Sequence, residues 1–145
     1  MEPAIRRAAR LIVTDPENNV FLFQHEDEGR TWWATPGGGL EGGETFEEAA
    51  AREAWEELGV SGALLRPLSC RTVAFRFRGQ LIQQVERYFL IRVVQADVPG
   101  ATIVEEAYTR EHIIGGRWWS AEELQATTER VYPVDLQEQI RNSGV

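Results

Sequence analysis

Three glutamates in the segment TFEEAAAREAWEEL, residues 45–58, carry the strongest chemical signal in the chain. Glu53, Glu56 and Glu57 lie three and four residues apart, so on a helix they share an arc of about 100°. Like charges at this spacing repel one another, and a hard divalent cation with oxygen ligands would relieve the repulsion. Because no His or Cys lies nearby, the cluster favours Mg²⁺, with Mn²⁺ as a substitute, over zinc. The spacing therefore predicts a carboxylate metal site.

The same segment also fits a Glu-rich helix that merely presents a solvated face. On a helical wheel, Ala50, Ala54 and Leu58 form a narrow apolar stripe beside the three glutamates. The carboxylates thus border the buried face instead of standing opposite it. Arg52, four residues before Glu56, is placed to compensate one of the charges. The helix composition alone leaves both interpretations open.

Capping residues and a glycine-rich loop delimit this helix. Thr45 followed by Glu48 forms a capping-box pattern, and Gly59 stands where a C-cap glycine is expected. The preceding GGGLEG, residues 37–42, matches G-x-G-x-x-G literally. We reject a dinucleotide-binding interpretation, because that motif opens a helix directly within a βαβ unit. Glycines here would instead let backbone groups approach a metal or phosphate closely.

The remaining sequence predicts a sheet-rich domain. Strands are expected over residues 8–15, 20–23, 31–36, 64–68, 71–77, 84–94 and 117–119, with loops at 24–30 and 37–43 and irregular chain at 95–116. Short helices are expected over residues 121–126, after a Ser120 cap, and 134–141. This order predicts one α+β domain, residues 1–145, in which a mixed sheet packs between helices.

Composition excludes several classes of protein. The net charge is −8, from 15 basic and 23 acidic residues, which argues against a protein that coats nucleic acid by charge alone. A nucleotide substrate stays open, because a divalent cation can sit between an acidic protein and a phosphate. The single Cys70 excludes an internal disulfide framework. No apolar run approaches a membrane span, so we expect a cytoplasmic protein without a membrane partner.

The loop and the helix together carry a longer pattern. Gly38 is followed after five residues by Glu44, and after seven more by REAWEELGV, residues 52–60. This resembles the Nudix box of the Nudix (MutT-like) hydrolases, G-x5-E-x7-R-E-U-x-E-E-x-G-U, in which U is aliphatic. Every fixed position matches over residues 38–60, with Ala54 a small residue at the first U. The lead-in WWATPGGG and the later RWWSAEEL are similar to the family's flanking elements.

The resemblance implies both a fold and a reaction. The fold would be a Nudix-type α/β/α sandwich, a mixed β-sheet with flanking helices. The reaction would be Mg²⁺-dependent hydrolysis of a nucleoside diphosphate linked to another group X, by in-line attack of water on phosphorus. Metal ions would stabilise the charge that builds on the phosphate oxygens. The expected partner is a small-molecule nucleotide, and the resemblance leaves a homodimer open.

The resemblance also implies roles for individual residues. Glu56 and Glu57 would bind the metal, together with the backbone carbonyl of Gly38. Glu53 would be a further ligand or the general base. Arg52 would hold a glutamate in place, and Glu44 would brace the loop against the helix.

The general base has a second set of candidates. In the family it is either a glutamate of the box or a distal carboxylate from the loop before the closing strand. Glu111 is the first distal candidate in this chain, followed by Glu106 and Glu105.

The chain lacks the marks of three subfamilies, and their absence leaves a generic nucleoside di- or triphosphate as the expected substrate. Family members that hydrolyse ADP-ribose carry a proline where this chain has Arg76, and those that hydrolyse dinucleoside polyphosphates carry a tyrosine nearby. The coenzyme A signature is also absent.

Two alternatives to an enzyme remain. One is a nucleotide-sensing module on the same fold, although such modules usually lose glutamates of the box. The other is a structural or interaction domain with an acidic helix.

Overall fold

The fold is an eight-stranded mixed sheet with helices on both faces, seen in a computed structural model that describes residues 3–62, 64–95, 98 and 112–144. The strands are β1 (Ala4–Thr14), β2 (Val20–Asp27), β3 (Arg30–Ala34), β4 (Gly37–Gly39), β5 (Arg66–Phe77), β6 (Gln80–Arg92), β7 (Ile113–Trp119) and β8 (Val131–Tyr132). The helices are α1 (Phe46–Leu58), α2 (Ala121–Ala126) and α3 (Leu136–Asn142). The predicted α+β sandwich around a mixed sheet is confirmed.

Strand β1 is the centre of the sheet, whose main strand order is β5-β6-β1-β2-β3-β8. It pairs in parallel with β6 along its whole length. On its other edge, β2 pairs antiparallel with Val13 and Thr14, whereas β4 pairs antiparallel with residues 8–10. Strand β7 pairs with β2. Two strands therefore share one edge of β1, and this brings the glycine-rich segment onto the sheet.

Side chains alternate between two cores because successive residues of a strand point to opposite faces. The first core lies under α1 and contains Ala9, Leu11, Val13, Phe21, Phe23, Ala49, Ala50, Ala54, Leu58, Phe89, Ile91 and Val98. The second lies under α2 and α3 and contains Ile12, Val20, Leu22, Trp33, Tyr88, Leu90, Trp119 and Leu136. Fully burying a large apolar side chain contributes about 2 kcal/mol, so both faces of the sheet stabilise the fold.

Helix α1 begins and ends at the predicted caps. The Thr45 hydroxyl accepts a hydrogen bond from the Glu48 amide at 3.1 Å, and the Glu48 carboxylate accepts one from the Thr45 amide at 2.9 Å. Gly59 adopts a left-handed conformation with φ of 70° and donates its N–H to the Trp55 carbonyl. The capping box and the glycine C-cap are both confirmed, and a cap of this kind contributes about 1 kcal/mol.

Two predicted loops are wrong. Residues 24–30 were expected to be a loop, but β2 continues to Asp27 and β3 begins at Arg30, with Glu28 and Gly29 forming the turn at positive φ. The backbone there pairs across the hairpin and His25 is buried, so the polar composition of the segment misled the prediction. Residues 37–43 were also expected to be a loop, but Gly37–Gly39 forms β4 because its backbone pairs with β1.

The predicted strand bounds also need correction near the C-terminal half. Residues 64–68 and 71–77 were expected to be separate strands, but β5 is continuous, with a register shift between Pro67 and Ser69. A bulge of this kind adds a residue without ending the strand, and an edge strand tolerates proline. Residues 113–116 belong to β7, and the two-residue β8 was not predicted.

Gly37 lies so close to β1 that no side chain fits there. Its φ is 130°, and an added Cβ would lie 2.2 Å from the Ala9 carbonyl oxygen and 2.8 Å from the Arg10 Cα. We expect Gly37→Ala to lower the free energy of unfolding by about 3 kcal/mol, through backbone strain and overpacking. Urea unfolding measures this change. Gly42→Ala is the matched control, because nothing lies within 4 Å of its added Cβ; equal stability of the two variants would contradict the prediction.

An ion pair attaches α3 to the edge strand β5. Nη2 of Arg71 lies 2.8 Å and 2.7 Å from the two carboxylate oxygens of Asp135, the residue before α3. The hydrogen bond from Arg71 holds the pKa of Asp135 below its ordinary value. Next to it, the Ser69 hydroxyl donates to the Gln139 side-chain oxygen at 2.6 Å. These side-chain contacts join α3 to β5.

This ion pair makes stability depend on pH. The pKa of Asp135 is lower in the folded than in the unfolded protein, so the pair stabilises the fold above the ordinary Asp pKa of about 3.9, and this contribution is lost as the pH falls through the folded-state pKa. We expect Asp135→Asn to cost about 1 kcal/mol near neutral pH and to converge with the parent in strong acid. Urea unfolding across this pH range tests it, with the exposed Glu138→Gln as control. A cost that is independent of pH would refute the assignment.

Candidate active site

Small residues let α1 lie close against the sheet. Ala49, Ala50 and Ala54 are buried, with exposed fractions of 0 to 2%, and they pack in the core beside Ala9 of β1. Close packing brings the helix edge to the glycine-rich strand β4. The apolar stripe predicted from the sequence is therefore the buried face of α1, and the residues beside it stand at the boundary between α1 and β4.

The three predicted glutamates differ in burial. Glu53 and Glu57 are buried, with exposed fractions of 7% and 2%, although each carries an ionisable carboxyl. The Glu56 side chain is 26% exposed. Buried carboxylates require a compensating charge or hydrogen bonds, so the contacts of these side chains decide what the site can do.

Arg52 donates hydrogen bonds to three carboxylates, and a fourth, Glu41, lies 3.6 Å from its Nη1. Its Nε and Nη2 donate to the two carboxylate oxygens of Glu44 at 2.8 and 3.0 Å. Its Nη1 lies 3.0 Å from a Glu53 oxygen and 3.1 Å from a Glu56 oxygen. Nη2 also donates to the Gly39 carbonyl at 3.0 Å. One guanidinium thus joins α1, β4 and the turn before the helix.

These contacts keep the Arg52 network charged. The hydrogen bond to Glu44 raises the pKa of Arg52, and the hydrogen bond from Arg52 lowers the pKa of Glu44. The Glu44 carboxylate also accepts a hydrogen bond from the Glu41 amide at 2.8 Å. Glu44 therefore ties the turn that follows β4 to the arginine on the helix.

Glu57 is attached to the glycine-rich strand by a separate contact. Its Oε1 accepts a hydrogen bond from the Gly37 amide at 2.7 Å. The Gly37 carbonyl in turn accepts one from Nη1 of Arg10 at 3.1 Å. Neither contact was predicted from the sequence, where the available signal was an arginine between the apolar Ala9 and Leu11 of a strand. The predicted ligand Gly38 lies between Gly37 and Gly39, the two glycines that contact Glu57 and Arg52.

The donor set fits a hard cation chemically, but the side chains are not gathered around one point. Among the residues that the structure describes, no three acidic, His or Cys groups are placed to hold a metal. Mg²⁺ is usually bound by one or two carboxylates, with waters and substrate phosphates completing its octahedron. Neighbouring carboxylates of Glu53, Glu56 and Glu57 offer only oxygen donors, as such a cation requires. To bind the ion, Glu53 or Glu56 would have to give up its hydrogen bond from Arg52 and contact the cation instead.

A cavity of about 450 Å³ opens beside the glycine-rich segment. It is lined by residues 5–7 of β1 and by residues 39–44. Arg6 and Arg7 are exposed there, so cationic groups stand next to the backbone of β4. The distal candidates Glu105, Glu106 and Glu111 lie outside the described residues.

The fold and the site together define an α+β sandwich in which a glycine-rich strand and a glutamate-rich helix meet at one edge of the central strand. The family model for the NUDIX domain matches residues 4–136. The chain therefore belongs to the Nudix family, which confirms the resemblance carried by the box. Within the described ranges, no helix is long and apolar enough to span a membrane.

Curated relatives match over part of the chain. An RNA pyrophosphohydrolase of Roseobacter denitrificans is 30% identical over 103 residues, which cover 63% of this chain and 64% of the relative. An RNA pyrophosphohydrolase of Orientia tsutsugamushi is 26% identical over 96 residues, 60% of each chain. The phosphatase NudJ of Escherichia coli is 43% identical over 49 residues, 34% of this chain and 32% of the relative. The chain thus spans less than two thirds of the length of each of these relatives.

Solved structures show the same fold over nearly the whole chain. A MutT protein from Methanosarcina mazei has a TM-score of 0.69 at 21% identity, covering 99% of this chain and 98% of that one. An Ap4A hydrolase of C. elegans has a TM-score of 0.64 at 16% identity, covering 97% and 99%. At these identities the likeness concerns the fold.

Loss of Arg52 tests whether it compensates the glutamates. We expect Arg52→Gln to lower the free energy of unfolding of the metal-free protein by about 2 kcal/mol, because partly buried carboxylates lose their counter-charge. Saturating Mn²⁺ should recover part of the loss, since a cation that binds the folded state stabilises it. Urea unfolding in a chelator and in Mn²⁺ measures both effects. The exposed Arg66→Gln is the control, and equal costs for the two variants would show that Arg52 has no special role.

Proposed function

We propose that this chain is a divalent-metal-dependent pyrophosphohydrolase. It cleaves a nucleoside diphosphate linked to a moiety X by in-line attack of water on phosphorus. The observation that carries the proposal is the Arg52 network, in which Glu44, Glu53 and Glu56 share one guanidinium beside the glycine-rich strand. Membership of the Nudix family and relatives named pyrophosphohydrolase support it. Residues 1–145 act as one domain.

The metal-binding role belongs to the carboxylates of α1. Glu56 and Glu57 hold Mg²⁺, or Mn²⁺ in its place, with the backbone carbonyl of Gly38. Glu53 is a further ligand or the general base that takes a proton from the attacking water. The cation supplies neutralisation of the charge that builds on the phosphate oxygens. The burial of Glu53 and Glu57 supports these roles, because charges in a partly dry site interact more strongly than in water.

Arg52 and Glu44 are positioning residues in this proposal. Arg52 holds Glu53 and Glu56 on one side of α1, so the two carboxylates stay near each other despite their repulsion. Glu44 orients Arg52 through two hydrogen bonds and braces the turn before the helix. The distal carboxylate Glu111, followed by Glu106 and Glu105, remains the alternative source of the general base.

The substrate we propose is a nucleoside di- or triphosphate. Arg6 and Arg7 line the cavity beside the glycine-rich strand, where they can attract the phosphate chain. The relatives named RNA pyrophosphohydrolase make a phosphorylated RNA end a second candidate. The net charge of −8 opposes extended contact with RNA, so we place the nucleotide first. The single free Cys70 supports a cytoplasmic location.

A phosphate-release assay tests the proposed activity. Purified protein is incubated with Mg²⁺ or Mn²⁺ and a panel of nucleoside di- and triphosphates, oxidised dGTP, ADP-ribose, nucleotide sugars, dinucleoside polyphosphates and triphosphorylated RNA. We expect release of phosphate or pyrophosphate from one class of substrate. The double variant Glu56→Gln Glu57→Gln should lose about 100-fold or more of this activity, because the transition-state charge is no longer compensated.

Glu47→Gln is the matched control, since Glu47 is an exposed glutamate in the first turn of the same helix. It should retain the parental rate. Tight nucleotide binding without turnover would favour the sensing module. Unchanged metal affinity and activity in the double variant would favour the structural domain with an acidic helix.

A further inference from the structure

We propose that Arg10 is a positioning residue for Glu57 and acts on it through Gly37. The inference rests on the proposed role of Glu57 as a metal ligand. Arg10 lies on β1 and shares its face of the strand with Ile12, which belongs to the core under α2 and α3. Glu57 lies on α1, against the other face. The link therefore crosses the sheet at the edge that β1 shares with β4.

Two hydrogen bonds on opposite sides of Gly37 form this link. Nη1 of Arg10 donates to the Gly37 carbonyl at 3.1 Å, and the Gly37 amide donates to Oε1 of Glu57 at 2.7 Å. Glycine rotates more freely than any other residue, and its φ of 130° here is open to few others. An external contact that fixes its carbonyl therefore also restricts the direction in which its amide points. That amide is what holds the Glu57 carboxylate.

Arg10 is itself anchored by a buried polar cluster on β6. Its Nε lies 3.7 Å from Oε2 of Glu86, which is 8% exposed. Gln84 donates to the same Glu86 oxygen at 2.6 Å, and the Tyr88 hydroxyl donates to the other at 3.2 Å. Burial raises the pKa of Tyr88, so its hydroxyl stays protonated and remains a donor. Glu86 therefore has a fixed orientation and can fix the arginine.

The energetics of this cluster favour a positioning role over a purely stabilising one. A buried ion pair is often no more stable than apolar residues of the same size, because both charges lose water. Arg10 interrupts an otherwise buried run between Ala9 and Leu11, where an apolar side chain would pack. What the guanidinium adds is reach to two partners, because Nε forms an ion pair with Glu86 at 3.7 Å while Nη1 donates to the Gly37 carbonyl.

Mn²⁺ affinity measured by EPR tests the link at the metal site. We expect Arg10→Gln to weaken Mn²⁺ binding about 10-fold, as is typical when the partner that orients a metal ligand is lost. The Mn²⁺ affinity of Arg10→Lys should lie between those of the parent and Arg10→Gln, because an ammonium keeps the charge but lacks the planar fork of donors. Arg92→Gln, at an exposed arginine of β6, is the control and should bind as the parent does. Glu57→Gln and the double variant Arg10→Gln Glu57→Gln complete a double-mutant cycle.

In that cycle, the double variant should bind Mn²⁺ no more weakly than Glu57→Gln alone, because Arg10 acts through Glu57. Independent, multiplicative losses would overturn the proposal while leaving the metal role of Glu57 intact. If Glu57→Gln itself left Mn²⁺ affinity unchanged, the proposed metal site would fail instead. The two failures are therefore distinguishable.

Hydrogen exchange of the Gly37 amide in the metal-free protein provides a second measurement. NMR should show this amide exchanging about 10-fold faster in Arg10→Gln, since the Gly37 carbonyl then loses its hydrogen bond from Arg10. Glu86→Gln should also speed exchange of the Gly37 amide, because it removes the ion-pair partner of Arg10. It serves as the test variant if Arg10→Gln does not fold. Unchanged Gly37 exchange and unchanged Mn²⁺ affinity in a folded variant would overturn the proposal.

Discussion

The compensation of negative charge on α1 is the interaction on which the site depends. Two of the helix's carboxylates are buried at its edge, and carboxylates in such a place need partners. Arg52 supplies the positive charge for Glu53 and Glu56, while a backbone amide of the glycine-rich strand supplies a donor for Glu57. The same carboxylates are the proposed cation ligands. In the proposed function, the arginine therefore keeps the donors near one another in the metal-free protein, and a cation would replace part of its role.

Close approach of three backbones makes these contacts available. Small residues on α1 pack against β1, and β4 lies so near β1 that Gly37 leaves no room for a Cβ. Because β2 leaves β1 after two paired residues, β4 takes the vacated edge of the strand. Residues Gly37–Gly39 thus form a strand and not a flexible loop. Its amides and carbonyls point in directions set by the sheet, as a site that orients carboxylates requires.

Features that depend on neighbours in the chain were predictable. The capping box, the glycine C-cap and the shared arc of the three glutamates follow from spacings of three and four residues, and the structure places Arg52 among Glu44, Glu53 and Glu56. Six of the eight strands were predictable in approximate place, but their ends, the continuity of β5 and the strands β4 and β8 were not. The hairpin of β2 and β3, and the strand β4, are defined by backbone pairing with a distant partner, and polar or glycine-rich composition hides such pairing.

The sequence by itself determined the family, the helix that carries the carboxylates and the arginine, Arg52, that compensates part of their charge, because each of these is encoded by residue types at short, regular spacings. Only the tertiary structure decided that Glu57 meets Gly37, that Arg10 holds the other side of this glycine, and that Glu86 anchors Arg10. These residues come from four separate elements. Their contacts exist because β1 lies between β4 and β6 in the sheet, and the pairing of strands distant in sequence has no local signature.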